Sequence, residues 1–232
     1  MDAVVMAAGE GTRLRPLTEQ WPKPLLPIDG RPVLAVLLRE LATAKLRRVW
    51  LVTGHLAEQV ERLAGDGSAF GLELKVVRQP GVLGSADAVQ RALGGGASTP
   101  VLVSAADTVY SRGDIARFAA EFMESGAAGA VAVRTKPPPG PGRQAVRRKG
   151  MRIESLRDDD PENPWSAAPL WAVGPAVAER LCLDNPPYEL EHAFQSAIDA
   201  GETVMAVEIG KTRDLTYPVD LVEENFPYLR AT

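Results

Sequence analysis

Apolar positions change period several times along this chain, and each change marks an element. Val4, Val5 and Met6 form the short continuous run of a buried strand, whereas Leu34, Leu37, Leu38 and Leu41 recur at the spacing of one helix face within Val33–Ala44. Val49–Thr53 returns to a strand pattern. A helix over Leu56–Leu63, a strand over Leu72–Val77, a helix over Ala86–Leu93 and a strand over Val101–Ser104 continue the alternation, followed by a helix over Asp114–Glu124 and a strand over Gly129–Arg134. Strands and helices in alternation predict an α/β, Rossmann-like fold, a mostly parallel sheet flanked by helices, with ligands held at the carboxyl ends of the strands.

The second half breaks this rhythm. Repeated prolines in Pro137-Pro138-Pro139-Gly140-Pro141-Gly142 forbid ladder hydrogen bonds and predict a stiff loop. Gln144–Arg148 and Met151–Leu156 read as a hairpin turning at Lys149-Gly150, and Asp158-Asp159-Asp160-Pro161 ends it. A strand over Leu170–Val173, helices over Pro175–Cys182 and Leu190–Ala200, a strand over Val204–Ile209 and a helix near Val219–Asn225 complete the pattern. With no fixed repeat and no long linker, one domain over residues 1–232 is expected.

Composition narrows the picture modestly. The 232 residues, 45% of them hydrophobic, suffice for one substantial core. Lys plus Arg total 26 against 30 acidic residues, a net charge of -4, so no overall positive balance points to nucleic acid or an anionic membrane. Any phosphate binding must come from local cations. The single Cys182, expected on a helix, excludes an intrachain disulfide, and His55 and His192 alone supply no zinc set. No charged-then-apolar leader opens the chain, and no run approaches the roughly 18 apolar residues of a membrane span. A soluble cytoplasmic protein is the expectation.

The stretch after the first strand is the one with chemistry in it: Ala7-Ala8-Gly9-Glu10-Gly11-Thr12-Arg13-Leu14, then Pro16-Leu17-Thr18 and Pro22-Lys23-Pro24-Leu25-Leu26-Pro27. Glycines remove the Cβ atoms that keep an anion from the backbone. Arg13 adds a planar fork for phosphate oxygens, and Lys23, held between two prolines, adds a compact charge. A dinucleotide fingerprint would need glycine where Leu14 stands, and a P-loop would need a Gly-Lys-Ser/Thr ending, which is absent.

This stretch resembles the signature of the sugar-1-phosphate nucleotidylyltransferases, also called NDP-sugar pyrophosphorylases. The resemblance implies Mg²⁺-dependent transfer of a nucleoside monophosphate from an NTP to a sugar 1-phosphate, with pyrophosphate leaving. It assigns Ala8, Gly9, Gly11 and Thr12 to the nucleotide, Arg13 to the departing pyrophosphate and Lys23 to the reacting phosphates. It reaches to about Asn225. The acyltransferase β-helix that follows in some relatives is not expected here, where the sequence ends at Thr232.

Several later residues match the family pattern, and others depart from it. Asp107, after the strand Val101–Ser104, corresponds to the magnesium-binding Asp, although an Asp there also reads as a helix N-cap. Glu208 in Glu208-Ile209-Gly210 stands for the second metal carboxylate, one methylene longer than the family's Asp, with Asp214 as a fallback that also reads as a helix cap. Gln79, followed by Gly84-Ser85-Ala86, resembles the base-reading glutamine and its glycine. An amide can present a donor and an acceptor to a base edge. The short loop from Gln79 to Gly84 leaves room for a single ring, and the resemblance is closest to members that use UTP or dTTP, so a pyrimidine nucleotide is expected.

On the acceptor side Asp159-Asp160-Pro161 stands where relatives carry Glu-Lys-Pro, so that lysine is missing. Pro169, which lacks an N–H, replaces a glycine ahead of Leu170-Trp171. Trp171 and Glu189 are the candidate acceptor-binding residues, Glu189 also reading as an acidic first helical turn. Two alternatives stay open: a cytidylyltransferase for a choline or polyol phosphate, and a non-catalytic sugar-nucleotide-binding regulator. Homo-oligomerisation is also compatible with this reading.

Overall fold

The computed structural model describes residues 1–140, 145–184 and 186–226. In chain order the elements are β1 (Asp2–Ala7), β2 (Pro27–Ile28), β3 (Arg31–Pro32), α1 (Val33–Thr43), β4 (Arg48–Thr53), α2 (Ala57–Ala64) and β5 (Glu73–Arg78). There follow α3 (Ser85–Gly94), β6 (Val101–Ala105), β7 (Thr108–Val109), α4 (Asp114–Ser125), β8 (Gly129–Arg134), β9 (Arg147–Lys149) and β10 (Arg152–Ser155). The last are β11 (Ser166–Val173), α5 (Pro175–Ala178), α6 (Leu190–Asp199), β12 (Val204–Glu208), β13 (Arg213–Asp214) and α7 (Pro218–Asn225).

Nine strands form one sheet in the order β5-β4-β1-β6-β11-β8-β12-β10-β9. β5, β4, β1 and β6 are parallel neighbours, as are β8 and β12. β11 runs antiparallel to both β6 and β8, and β10 antiparallel to β12 and β9. The sheet is thus α/β, mixed and mostly parallel, as the alternating pattern predicts. From β1 the chain winds outward through β4 and β5, then returns to place β6 on the other side of β1. That reversal is a topological switch point, where open α/β sheets leave a crevice beyond the strand ends.

Alternation along each strand divides the core between the two faces of the sheet. Val5, Leu51 and Leu102 pack with Leu34, Leu38 and Leu41 of α1 and Phe118 of α4. Val4, Val52 and Val103 face the other way, toward Val89 of α3 and Phe194 of α6. A smaller cluster of Leu14, Leu26, Ile28, Val33 and Leu215 lies apart from both. Leu14, the residue that breaks the dinucleotide fingerprint, is almost wholly buried there and anchors the loop between Arg13 and Arg15, both exposed.

Some expected boundaries shift. The helix from Pro175 ends at Ala178, where the chain tightens into turns closed by Arg180 N–H to Val177 O and Leu181 N–H to Ala178 O. Cys182 is therefore exposed and beyond the helix, its thiol 2.9 Å from Asp184 Oδ2. β11 begins earlier than Leu170 because it is bulged. Ala167 opposes Val133 and Trp171 opposes Val131, so four steps on β11 span two on β8, and Pro169 sits inside the bulge where no ladder N–H is needed. Of the expected hairpin's first strand, Gln144 lies outside the described residues, as do Pro141 and Gly142 of the proline-rich loop. No described helix is long and apolar enough to cross a membrane.

Candidate active site

The loop after β1 closes on itself. Gly11 has φ +63°, and a Cβ there would stand 3.0 Å from Thr18 Cγ2 and 3.2 Å from Lys23 Cβ. Only glycine accepts both the left-handed backbone and that approach. Thr18 donates its hydroxyl to Gly11 O at 2.9 Å, and Thr18 O lies 2.6 Å from His55 Nε2, tying the loop to the end of β4. Pro22 and Pro24 flank Lys23 at the start of a short 3-10 turn. From there its ammonium forms an ion pair with Asp107, just past β6. Both are half-sheltered, the side chains 16% and 26% exposed.

Two cavities meet at this pair. One, of about 510 Å³, is walled by the ends of β1 and β6, by Gly9, Gly11 and Thr12, and by Val82. The other, of about 330 Å³, is walled by Asp214, Tyr217, Arg134, Trp171 and the Ala168-Pro169 bulge. Arg13, Lys23, Asp107 and Thr216 line both. The site lies at the carboxyl ends of β1 and β6, beside the switch point.

The two candidate carboxylates for a second metal ligand separate clearly. Glu208, at the end of β12, pairs with Arg148 at 2.5 Å on the outer part of the sheet, where the Arg148 guanidinium lies 3.8 Å from the Trp165 ring centre. It lines neither cavity, so the structure does not bring Glu208 together with Asp107. Asp214 does line the second cavity, because β13 pairs antiparallel with β7 and sets Asp214 opposite Thr108, next to Asp107. Thr216 Oγ1 holds Asp214 Oδ1 at 3.1 Å. Among the described residues no group of three or more His, Cys, Asp or Glu side chains gathers as a metal site.

Gln79 is 5% exposed, and its Nε2 donates to Gly84 O at 3.0 Å and to Asp87 Oδ2 at 2.7 Å. Both amide hydrogens are committed within the protein, leaving Oε1 as the acceptor. Gly84 has φ +100° and sits against Tyr188, whose backbone receives Ala86 N–H and donates to Leu83 O. A Cβ at Gly84 would stand 2.5 Å from Tyr188 O. Gly84→Ala is expected to cost about 2–3 kcal/mol of stability; a urea melt unchanged from wild type would show that the loop does not rest on Tyr188.

The remaining residues divide. Ala8 is buried and accepts His55 N–H through its carbonyl, so it fixes the loop from beneath. Trp171 lines the second cavity. Glu189 does not; its carboxylate accepts the Ser85 hydroxyl at 2.6 Å, joining α6 to α3, while Glu191 reaches the cavity and pairs with Arg157 at 2.5 Å. Arg134, Thr216 and Tyr217 were not singled out from sequence. The available signal for Arg134 was a charged residue closing a wholly apolar strand. Tyr110 supports the wall from below: its hydroxyl donates to Pro169 O at 2.7 Å and lies 3.0 Å from Ser104 Oγ. Burial pushes its phenol far above the ordinary value, so it remains a neutral donor.

A glycine-bearing loop, cations and carboxylates gathered at the switch point of an α/β sheet occupy the place where such folds hold their ligands. The chain belongs to the Nucleotidyl transferase family, whose model matches residues 2–155. It is 31% identical over 97% of its length to a glucose-1-phosphate thymidylyltransferase of Streptomyces antibioticus, of which it covers 65%. It is 27% identical, again over 97% of its length, to the low-salt glycan biosynthesis nucleotidyltransferase Agl11 of Haloferax volcanii, also covering 65%. The chain thus spans about two thirds of the length of these curated relatives. Its fold is that of a glucose-1-phosphate thymidylyltransferase structure from Bacillus anthracis (TM-score 0.85, 20% identity, 97% of this chain and 94% of that one).

Proposed function

We propose that this protein transfers a nucleoside monophosphate from an NTP to a sugar 1-phosphate, releasing pyrophosphate. The observation that carries the reading is the Lys23–Asp107 pair at the junction of two cavities, with Arg13 in the wall of both. Two anionic substrates need separate rooms and shared cations where they meet. The acceptor phosphate is already an oxyanion, so the protein's task is alignment and charge screening. Gly9 and Gly11 let backbone approach the triphosphate, Lys23 screens the converging anions, and Arg13 holds the pyrophosphate as its bond to the α-phosphorus breaks.

Asp214, opposite Thr108 in the β7–β13 ladder, and Asp107, the residue before Thr108, offer hard oxygen ligands. Two carboxylates fit Mg²⁺, which binds through one or two of them and completes its shell with substrate oxygens and water. Such an ion would supply further neutralisation of the phosphate charges. With both Gln79 N–H groups committed, Oε1 accepts the imino N–H that uracil and thymine carry and cytosine lacks. Gln79 lies behind the cavity wall rather than in it, and Val82, on the loop between Gln79 and Gly84, gives the nucleotide lobe an apolar surface for a base.

A second reading, a polyol phosphate acceptor, is favoured by Pro169, which gives the acceptor wall no N–H, and by Asp160 in place of a lysine. A screen of common NTPs against sugar 1-phosphates and polyol phosphates, following pyrophosphate release, decides between them. UTP or dTTP with a sugar 1-phosphate is the expected pair; turnover confined to polyol phosphates would transfer the assignment. Gln79→Ala should blunt the preference for UTP over CTP by about 1–3 kcal/mol in kcat/KM, the worth of a buried hydrogen bond. An unchanged ratio would remove Gln79 from base reading.

A further inference from the structure

We infer that Arg134 is the residue that binds the phosphate of the acceptor. The inference rests on the transfer reading above and goes beyond it by naming a ligand for the second substrate's charge. Among the described residues that line the two cavities, three are cationic. Arg13 and Lys23 line both and so also face the nucleotide lobe, whereas Arg134 faces the acceptor side alone. A phosphate monoester entering beside Trp171 and the Pro169 bulge therefore meets Arg134.

Its setting is built for that role. Arg134 is the last residue of β8, 3% exposed, with its guanidinium bonded to the Thr212 hydroxyl and its Nη2 4.0 Å from Asp214 Oδ2. It is thus fixed in direction and placed next to the Lys23–Asp107 junction, where the acceptor oxygen must come to reach the α-phosphorus. A desolvated, oriented guanidinium gives a phosphate charge-assisted bonds at little further loss of freedom. The loop after β10 carries one cation, Arg157, but its side chain is 66% exposed, is paired with Glu191 and lines a separate hollow with Asp158, Asp159 and Asp160.

The test compares wild type, Arg134→Met and Arg134→Lys. With the best substrate pair, Arg134→Met should raise the acceptor KM about 10- to 100-fold, the usual worth of a hydrogen bond to a charged group, and leave the NTP KM within about 2-fold. Arg134→Lys, which keeps the charge without the fork, should fall between them. Inorganic phosphate titrated calorimetrically with a non-hydrolysable UTP analogue already bound should bind wild type and not Arg134→Met. Equal rises in both KM values, a lower kcat at unchanged acceptor KM, or equal phosphate binding would each overturn the inference. If Arg134→Met does not fold, a raised acceptor KM in Arg134→Lys at wild-type Tm supports it, and an unchanged one overturns it. If no acceptor is turned over by wild type, the transfer reading fails by itself, and the phosphate titration still decides Arg134.

Discussion

Lys23→Ala should lower kcat by about 100- to 1000-fold, the loss that follows removal of a preorganised electrostatic group. Two effects act together. The ammonium that screens the two converging phosphate groups disappears, and the Asp107 carboxylate, its partner in the present structure, is left facing them. Lys23→Arg should recover little, because a planar fork on a longer arm cannot occupy the place of a compact charge held between Pro22 and Pro24. Stability should change by no more than about 1 kcal/mol, since both side chains keep contact with solvent. Single-turnover rates, with thermal melts as control, check this. A folded Lys23→Ala protein turning over within a few-fold of wild type would move Lys23 out of the reacting centre.

Asp214→Asn should reduce turnover by about 100-fold or more and raise the Mg²⁺ concentration needed for half-maximal rate, while Glu208→Gln should leave both near wild type. Asp214 lines the second cavity and lies opposite Thr108, whereas Glu208 is 57% exposed and pairs with Arg148 away from either cavity. Removing one hard oxygen ligand of two weakens a Mg²⁺ site severely. A half-exposed ion pair such as Glu208–Arg148 contributes at most about 1 kcal/mol to folding. Titration of Mn²⁺ followed by its electron paramagnetic resonance signal gives a readout independent of activity: binding weakened in Asp214→Asn and retained in Glu208→Gln. The opposite pair of results would return the strand-end glutamate to the site.

Most of the sheet could be read before the structure because period and burial coincide in it. Val4 and Val5 point to opposite layers, and Leu34, Leu38 and Leu41 form the one face that α1 turns to the sheet. The conformation of the loop from Gly9 to Lys23 was equally legible, since its glycine and prolines act on their own backbone. Leu14 carries the same lesson: a buried anchor between two exposed arginines is a local feature, visible in the loop itself.

What escaped reading lies where distant segments meet. β7 and β13 are two residues each, too short to show any period, yet their pairing carries Asp214 to Asp107. Glu208 was read as the ligand because Glu208-Ile209-Gly210 resembles the family's strand-end motif, but which neighbour a strand-end side chain finds is set by strand order, and β12 lies three places beyond β6. Gln79 was legible as a possible base reader, while the commitment of its amide hydrogens to Gly84 and Asp87 was not. The sequence by itself determined the alternating elements, the two-faced core and the tight glycine- and proline-shaped loop after β1, all consequences of neighbouring residues. Only the tertiary structure decided that Asp214 comes opposite Thr108 and that Arg134 lines the second cavity, because both depend on which strands lie side by side.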